Sequence, residues 1–131
     1  METTNQSKFK SYRELIVWQK SMQFVTDIYR VTESLPSLEQ FGLTAQIRRA
    51  AVSIPSNIAE GFGRQLSGDF VRFLTIARGS LYEVQTQIEI AFNLRFLRDD
   101  AVNALSTQAS EIERMLNRLI TTIRQPKVQA P

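Results

Sequence analysis

At 131 residues the chain has the length of one ordinary domain, and its 43% hydrophobic and 22% charged residues suit a globular fold that buries a core without disulfides or metals. It has no cysteine and no histidine, which removes thiol nucleophiles, thiolate metal sites and the commonest general base. The formal charge of +3 is carried by twelve arginines against four lysines, a bias toward planar pairing with carboxylates between helices or subunits, or with the phosphates of nucleic acid.

The opening METTNQSKFK is polar and lacks the apolar centre of a signal peptide, and no apolar run approaches the roughly 20 residues of a membrane span. A cytoplasmic protein is expected, in which the glycosylation pattern NQS at Asn5 is idle. A flexible segment, residues 1–11, leads into a first helix from Tyr12 to Leu35, with a seam of Leu15, Trp18, Met22, Val25, Tyr29 and Thr32. LPSLEQFG ends it, because the residue before Pro36 is pushed out of helical geometry and Gly42 loosens the chain. The second helix runs from Thr44, read as its N-cap, to Gly61, read as its C-cap.

Ser67 caps a third helix with Asp69 in its first turn, and its seam is Phe70, Leu74, Ala77, Leu81, Val84, Ile88 and Ala91. Gly79 in its middle costs about 1 kcal/mol relative to alanine, so close helix packing is expected there. The fourth helix begins near Asp99, carries the seam Val102, Leu105, Ala109, Ile112, Leu116, Leu119 and Ile123, and ends before Pro126. Residues 126–131 read as a flexible tail. Nothing alternates as a strand does, and short connections between long amphipathic helices favour antiparallel neighbours. The expected fold is an all-α, antiparallel up-down four-helix bundle over residues 12–125. Apolar residues outside the seams, among them Val17, Phe24, Ile28, Val31 and Leu35, then Phe73, Ile76, Ile90, Phe92 and Leu94, exceed the stripe of about 100° that a bundle helix requires. Some broaden the core; the surplus predicts self-association.

RRAAVSIPSNIAEG places Pro55 inside an unbroken helical pattern. Ile47, Ala51, Ile54 and Ile58 keep one phase across it, which predicts a single kinked helix, with Ser53, Ser56 and Asn57 near the freed carbonyls. The opposite stripe of Gln46, Arg49, Ser53, Ser56 and Glu60, with Asn57 at its edge, has two readings. It is a solvated or subunit-facing surface of small residues, or a site holding a phosphate or a partner's backbone. No nucleophile stands beside a base, so no enzyme and no cofactor are expected.

GFGRQLSG follows a helix rather than a strand and its third glycine is misplaced for a dinucleotide loop, so its glycines serve as helix stop and loop relief. Glu83 and Glu89 lack the histidines of a bundle di-metal centre and suit arginine pairing instead. Trp18, Tyr12, Tyr29 and Tyr82 suit packing better than base stacking. The basic candidates for a nucleic-acid surface are Arg48, Arg49 and Arg64 around the second helix, Arg72 and Arg78 on the third, and Arg114, Arg118, Arg124 and Lys127 on or after the fourth. Arg114 and Arg118 share a face, diluted by nearby Glu111 and Glu113.

LTAQIRRAAVSIPSNIAEGFGR, with ELIVWQKSMQF before it and FVRFLTIARGSLYEVQTQIEIA after it, resembles the signature of a family of small bundle proteins. These are encoded in intervening sequences of bacterial large-subunit ribosomal RNA genes and are often labelled ribosomal protein. The resemblance covers roughly residues 12 to 97 and is carried above all by Ser53, Pro55, Ser56, Asn57, Glu60 and Gly61; the fourth helix agrees in pattern more than identity. It implies an antiparallel bundle assembling as a ring-like homopentamer without recognised enzymatic activity. A more distant relative, the accessory protein of diversity-generating retroelements, is a basic pentameric barrel that binds nucleic acid and its reverse transcriptase. The expected function is therefore nucleic-acid binding, to structured RNA or an RNA–protein complex, through arginine-rich surfaces multiplied by assembly. The alternative is a scaffold or accessory subunit, for example to a reverse transcriptase, without direct nucleic-acid contact.

Overall fold

The computed structural model describes residues 9–125. Among them are four α-helices and no strand: α1 Ile16–Thr32, α2 Leu43–Arg64, α3 Ser67–Asn93 and α4 Asp99–Arg124. Helix α1 packs on α2 and α4, and α3 packs on the same two, so α2 and α4 lie diagonally across a four-helix bundle. One continuous core fills it, with Phe24, Ile28, Ile47, Ile54, Ile58, Phe70, Leu74, Leu81, Leu105, Ile112 and Leu116 fully buried. Each such side chain contributes about 1.5–3 kcal/mol by leaving water.

The α3 seam is buried throughout, from Phe70 to Ala91. The α1 seam is not the expected one. The buried line is Val17, Ser21, Phe24, Ile28 and Thr32, while Met22 and Tyr29 are exposed and Trp18 and Val25 half-buried. Thr32 belongs to both lines, but Ser21 hides the buried one from a hydrophobicity reading, and both polar residues are tolerated because each hydroxyl donates to a carbonyl one turn back. Ser21 Oγ bonds Val17 O at 2.7 Å and Thr32 Oγ1 bonds Ile28 O at 2.7 Å. On α4, Leu105, Ala109, Ile112 and Leu116 are buried as expected, but the line then passes to Ile120, leaving Leu119 half-buried. A shift of one residue there follows from the 3.6-residue turn, which a spacing of four tracks over successive turns as well as a spacing of three.

Helix ends also differ from expectation. The chain enters through a 3-10 turn, Tyr12–Glu14, capped by Ser11 Oγ on Arg13 N at 3.1 Å; Leu15 is then extended and α1 starts afterwards. Gly42, not Thr44, precedes α2, and Thr44 is buried one position inside it. Gly61 does not end α2. The helix runs on to Arg64, and the left-handed residue that closes it is Gln65, with φ 64°. Gly61 is instead where α3 comes closest: a Cβ there would lie 2.6 Å from Phe73 Cβ and 3.2 Å from Phe70 Cδ1. Gly79, expected at a close packing point, faces open space with nothing within 4 Å of a Cβ.

Helix α2 is continuous through Pro55, which is buried. Pro55 has no N–H for Ala51 O, the acceptor one turn back. The expected helpers are present but act on the carbonyls just beyond it: Ser56 Oγ bonds Val52 O at 2.8 Å and Asn57 Nδ2 bonds Ser53 O at 2.8 Å.

Candidate nucleic-acid interface

The stretch around Pro55 builds a clasp rather than an open site. Ser53 Oγ and Ser80 Oγ lie 2.8 Å apart across α2 and α3, and Asn57 Nδ2 donates to Ser53 Oγ at 2.9 Å. Every one of these polar atoms is committed to a neighbour, and Glu60 is taken by Arg64, at 3.0 Å. Ser56 and Glu60 are exposed but partnered, and Gln46 and Arg49 are the exposed residues of this stripe whose side chains bond no described residue. The serines and asparagine thus tie α3 to the proline-containing turn, and Gly61 completes the approach one turn later.

Four of the candidate arginines have structural partners. Arg48 Nη2 donates to Tyr29 O at 3.1 Å and Nε to Thr32 Oγ1 at 2.9 Å, with its guanidinium 4.5 Å from the Tyr29 ring centroid. Tyr29 O is open to that donor, beside Thr32 Oγ1 at 3.3 Å, because Glu33 N turns to Arg30 O as α1 tightens at its end. A cation at a helix C-terminus is also favoured by the helix dipole. Arg64 and Arg72 both lie against Phe73, at 5.2 and 5.1 Å from its ring centroid. Arg78 Nη1 donates to Asn117 Oδ1 at 2.8 Å, linking α3 to α4.

The other candidates among the described residues are free. Arg49, Arg114, Arg118 and Arg124 are exposed and form no ion pair or side-chain hydrogen bond with the described residues. Lys127 lies outside the described residues. Arg114 and Arg118 stand one turn apart on α4, and the carboxylates expected to dilute them are drawn sideways. Glu111 pairs with Lys20 of α1 at 3.2 Å, and Glu113 accepts from Tyr82 Oη of α3 at 2.6 Å. That bond to Glu113, then the phenol's partial desolvation and the carboxylate's charge, raise the Tyr82 pKa above its ordinary value, with Arg78 opposing. Arg49 sits on α2, diagonal to α4, so it does not join the α4 pair within one chain.

Sequence reasoning passed over three features. Arg13 lies over both Tyr12 and Trp18, at 5.4 and 5.7 Å, a cluster spread along the chain as Tyr-Arg followed five residues later by Trp. A polar groove of about 510 Å³ between α1 and α4 has lining residues that pair with one another: Gln108 and Gln23 both donate to Asp27, each at 3.1 Å, beside the Lys20–Glu111 pair. Gln87 on α3 is only 7% exposed, and its Oε1 is buried without a partner; a lone glutamine inside a helical pattern gives no sign of that.

No helix among the described residues is long and apolar enough to cross a membrane. A comparison with curated proteins finds no match. Among solved structures, the chain is similar to a protein of unknown function from the S23 ribosomal protein family of Bacteroides thetaiotaomicron. The TM-score is 0.76 and the identity 26%, over 82% of this chain and 96% of that one. Residues 13–118, which take in α1 to α3 and most of α4, match the family described as 23S rRNA-intervening sequence protein, and the chain belongs to that family.

Proposed function

We propose that this protein is a non-enzymatic, self-associating, cytoplasmic bundle that binds nucleic acid, structured RNA or an RNA–protein complex, through the outer face of α4. The observation that carries the reading is the charge sorting on that helix: Glu111 and Glu113 are held by α1 and α3, while Arg114 and Arg118 stay exposed and unpaired. An antiparallel, up-down course of the helices fits the cross-helix pairs, since Tyr82 meets Glu113 and Arg78 meets Asn117, in opposite chain directions. A bend at Pro55 fits its missing donor. Self-association, as the ring-like pentamer that the sequence resemblance implies, is supported by large apolar residues left outside the closed core, among them Ile16, Leu38, Phe41, Ile76, Ile90 and Leu94. A ring repeats each Arg114–Arg118 pair around its circumference, so a modest subunit charge becomes a strong cationic surface.

The test is binding of a structured RNA and a DNA duplex across a salt series. Affinity falls steeply with salt, and Arg114→Glu weakens it several-fold and reduces the log–log slope by about 1 per contact removed, with the assembled mass unchanged. No binding, or binding indifferent to salt, overturns the reading. A second reading, a scaffold that docks a nucleic-acid enzyme such as a reverse transcriptase, is favoured by the internal engagement of Arg48, Arg64 and Arg78. It expects partner capture that survives nuclease treatment.

A further inference from the structure

The seam between α3 and α4 is closed over one stretch and open over the next. In the middle of α3 it is bridged by polar pairs, Tyr82 with Glu113 and Arg78 with Asn117. Toward the end of α3 the facing part of α4 offers only Val102, Leu105 and Ser106, and a cavity of about 350 Å³ opens between the helices. Its floor is apolar: Ile88 and Leu105 are buried, Val102 is half-buried, and the Phe92 ring stands at the side, 37% exposed. Its rim is polar, made by Gln85, Glu89, Asn93 and Ser106. None of these four side chains makes a hydrogen bond or ion pair with a described residue. The groove between α1 and α4 differs in this respect, because its polar lining is paired internally.

Size and charge narrow what the cavity can take. Small-molecule sites begin at roughly 300 Å³, and about 150 Å³ already holds a benzene ring. Among the described residues that line it, Glu89 alone is charged. The arginines of the α3–α4 connection, Arg95 and Arg98, do not line it, and Arg98 pairs with Asp100 at 3.5 Å. Around the Glu89 carboxylate, the amide oxygens of Gln85 and Asn93 and the Ser106 hydroxyl are further acceptors. An anion is repelled there. A hard metal ion needs several oxygen ligands held together and gains nothing from the apolar floor, and no group of three or more acidic residues suited to a metal occurs among the described residues. A cationic head on an apolar body uses both halves of the cavity.

We infer that this cavity binds a small organic ammonium, a primary amine on an aromatic or short aliphatic body, with its charge at Glu89 and its body on Ile88, Val102 and Leu105. The site goes beyond the nucleic-acid reading and stands without it, since Arg114 and Arg118 lie in the other half of α4.

The test uses the full chain carrying isotope-labelled Ile, Leu and Val methyl groups and three probes of similar size: phenethylamine, 2-phenylethanol and 3-phenylpropionate. Alkylamines, like lysine, are protonated at neutral pH, so the probes present a cation, a neutral hydroxyl and an anion on one aromatic body. The amine shifts the methyl signals of Ile88, Val102 and Leu105 and binds about fivefold more tightly than the alcohol, as one partly exposed ion pair allows, and the anion binds more weakly than either. Glu89→Gln lowers the amine to the alcohol's affinity and leaves the alcohol's unchanged. Ser106→Phe, at an exposed position, keeps the helical circular dichroism and abolishes the shifts by filling the cavity. Equal binding of the three probes, or an amine affinity indifferent to Glu89→Gln, overturns the inference. So does the absence of shifts at these methyl groups with every probe at millimolar concentration. Nα-acetyllysinamide, which presents an ammonium as a peptide does, binding more tightly than phenethylamine overturns a free amine as the occupant.

Discussion

Two glycines with similar sequence surroundings have opposite roles, and alanine separates them. At Gly61 an added Cβ meets Phe73 Cβ at 2.6 Å, so Gly61→Ala destabilises by about 1–3 kcal/mol through overpacking between α2 and α3. At Gly79 nothing lies within 4 Å, and Gly79→Ala stabilises by up to about 1 kcal/mol through helix propensity and a less disordered unfolded chain. Urea denaturation of the two variants should therefore shift in opposite directions. Tyr82 yields a pH prediction. Its folded pKa is raised, chiefly by donation to Glu113, so the folded state binds the phenolic proton more tightly than the unfolded chain. The stability this provides is complete below the ordinary phenol value of about 10 and is lost as pH rises through the raised value. Tyrosinate absorbance should show one late-titrating tyrosine that Glu113→Gln brings back toward normal. Tyr82→Phe should lower neutral-pH stability by less than about 1 kcal/mol, because the pair is exposed.

Helix ends are where sequence and structure part most clearly. Helix α3 stops in a Schellman arrangement, with Phe96 N on Ala91 O and Arg95 N on Phe92 O, both at 2.9 Å, and Arg95 in the left-handed region at φ 64°. Glycine is the residue this position favours, so Arg95→Gly should raise the thermal midpoint, equivalent to roughly 1 kcal/mol. No glycine marked that end, nor the end of α2 at Gln65, whereas Gly61, which looked like a stop, is a packing position. The interiors of the helices were legible because burial of Phe70 to Ala91 or Leu105 to Leu116 follows the 3.6-residue period directly. The α1 seam was misread because Ser21, whose hydroxyl donates to Val17 O and so sits in the core at little expense, interrupts the apolar line of Val17, Phe24 and Ile28. The basic candidates were visible as residues, but their sorting into structural and free groups was not. That sorting depends on acceptors distant in sequence, such as Tyr29 O for Arg48 and Asn117 for Arg78.

At the level of the molecule, apolar contact and charge assign different salt responses to different events. Assembly through the apolar residues left outside the core should persist or strengthen at high salt, whereas nucleic-acid binding through Arg114 should be lost, so mass and binding measured in the same titration should separate. The connectivity carries one more consequence. Helices α2 and α3 are joined by Gln65 and Leu66 alone and are clasped at Ser53–Ser80 and Gly61–Phe73, whereas α1 reaches α4 across 81 residues at Asp27–Gln108. Closing the short loop forfeits far less chain freedom than closing the long one, so the α2–α3 hairpin is the natural nucleus and the α1–α4 seam forms late. In stopped-flow experiments, Ser80→Ala should chiefly slow refolding, while Gln108→Ala should chiefly hasten unfolding.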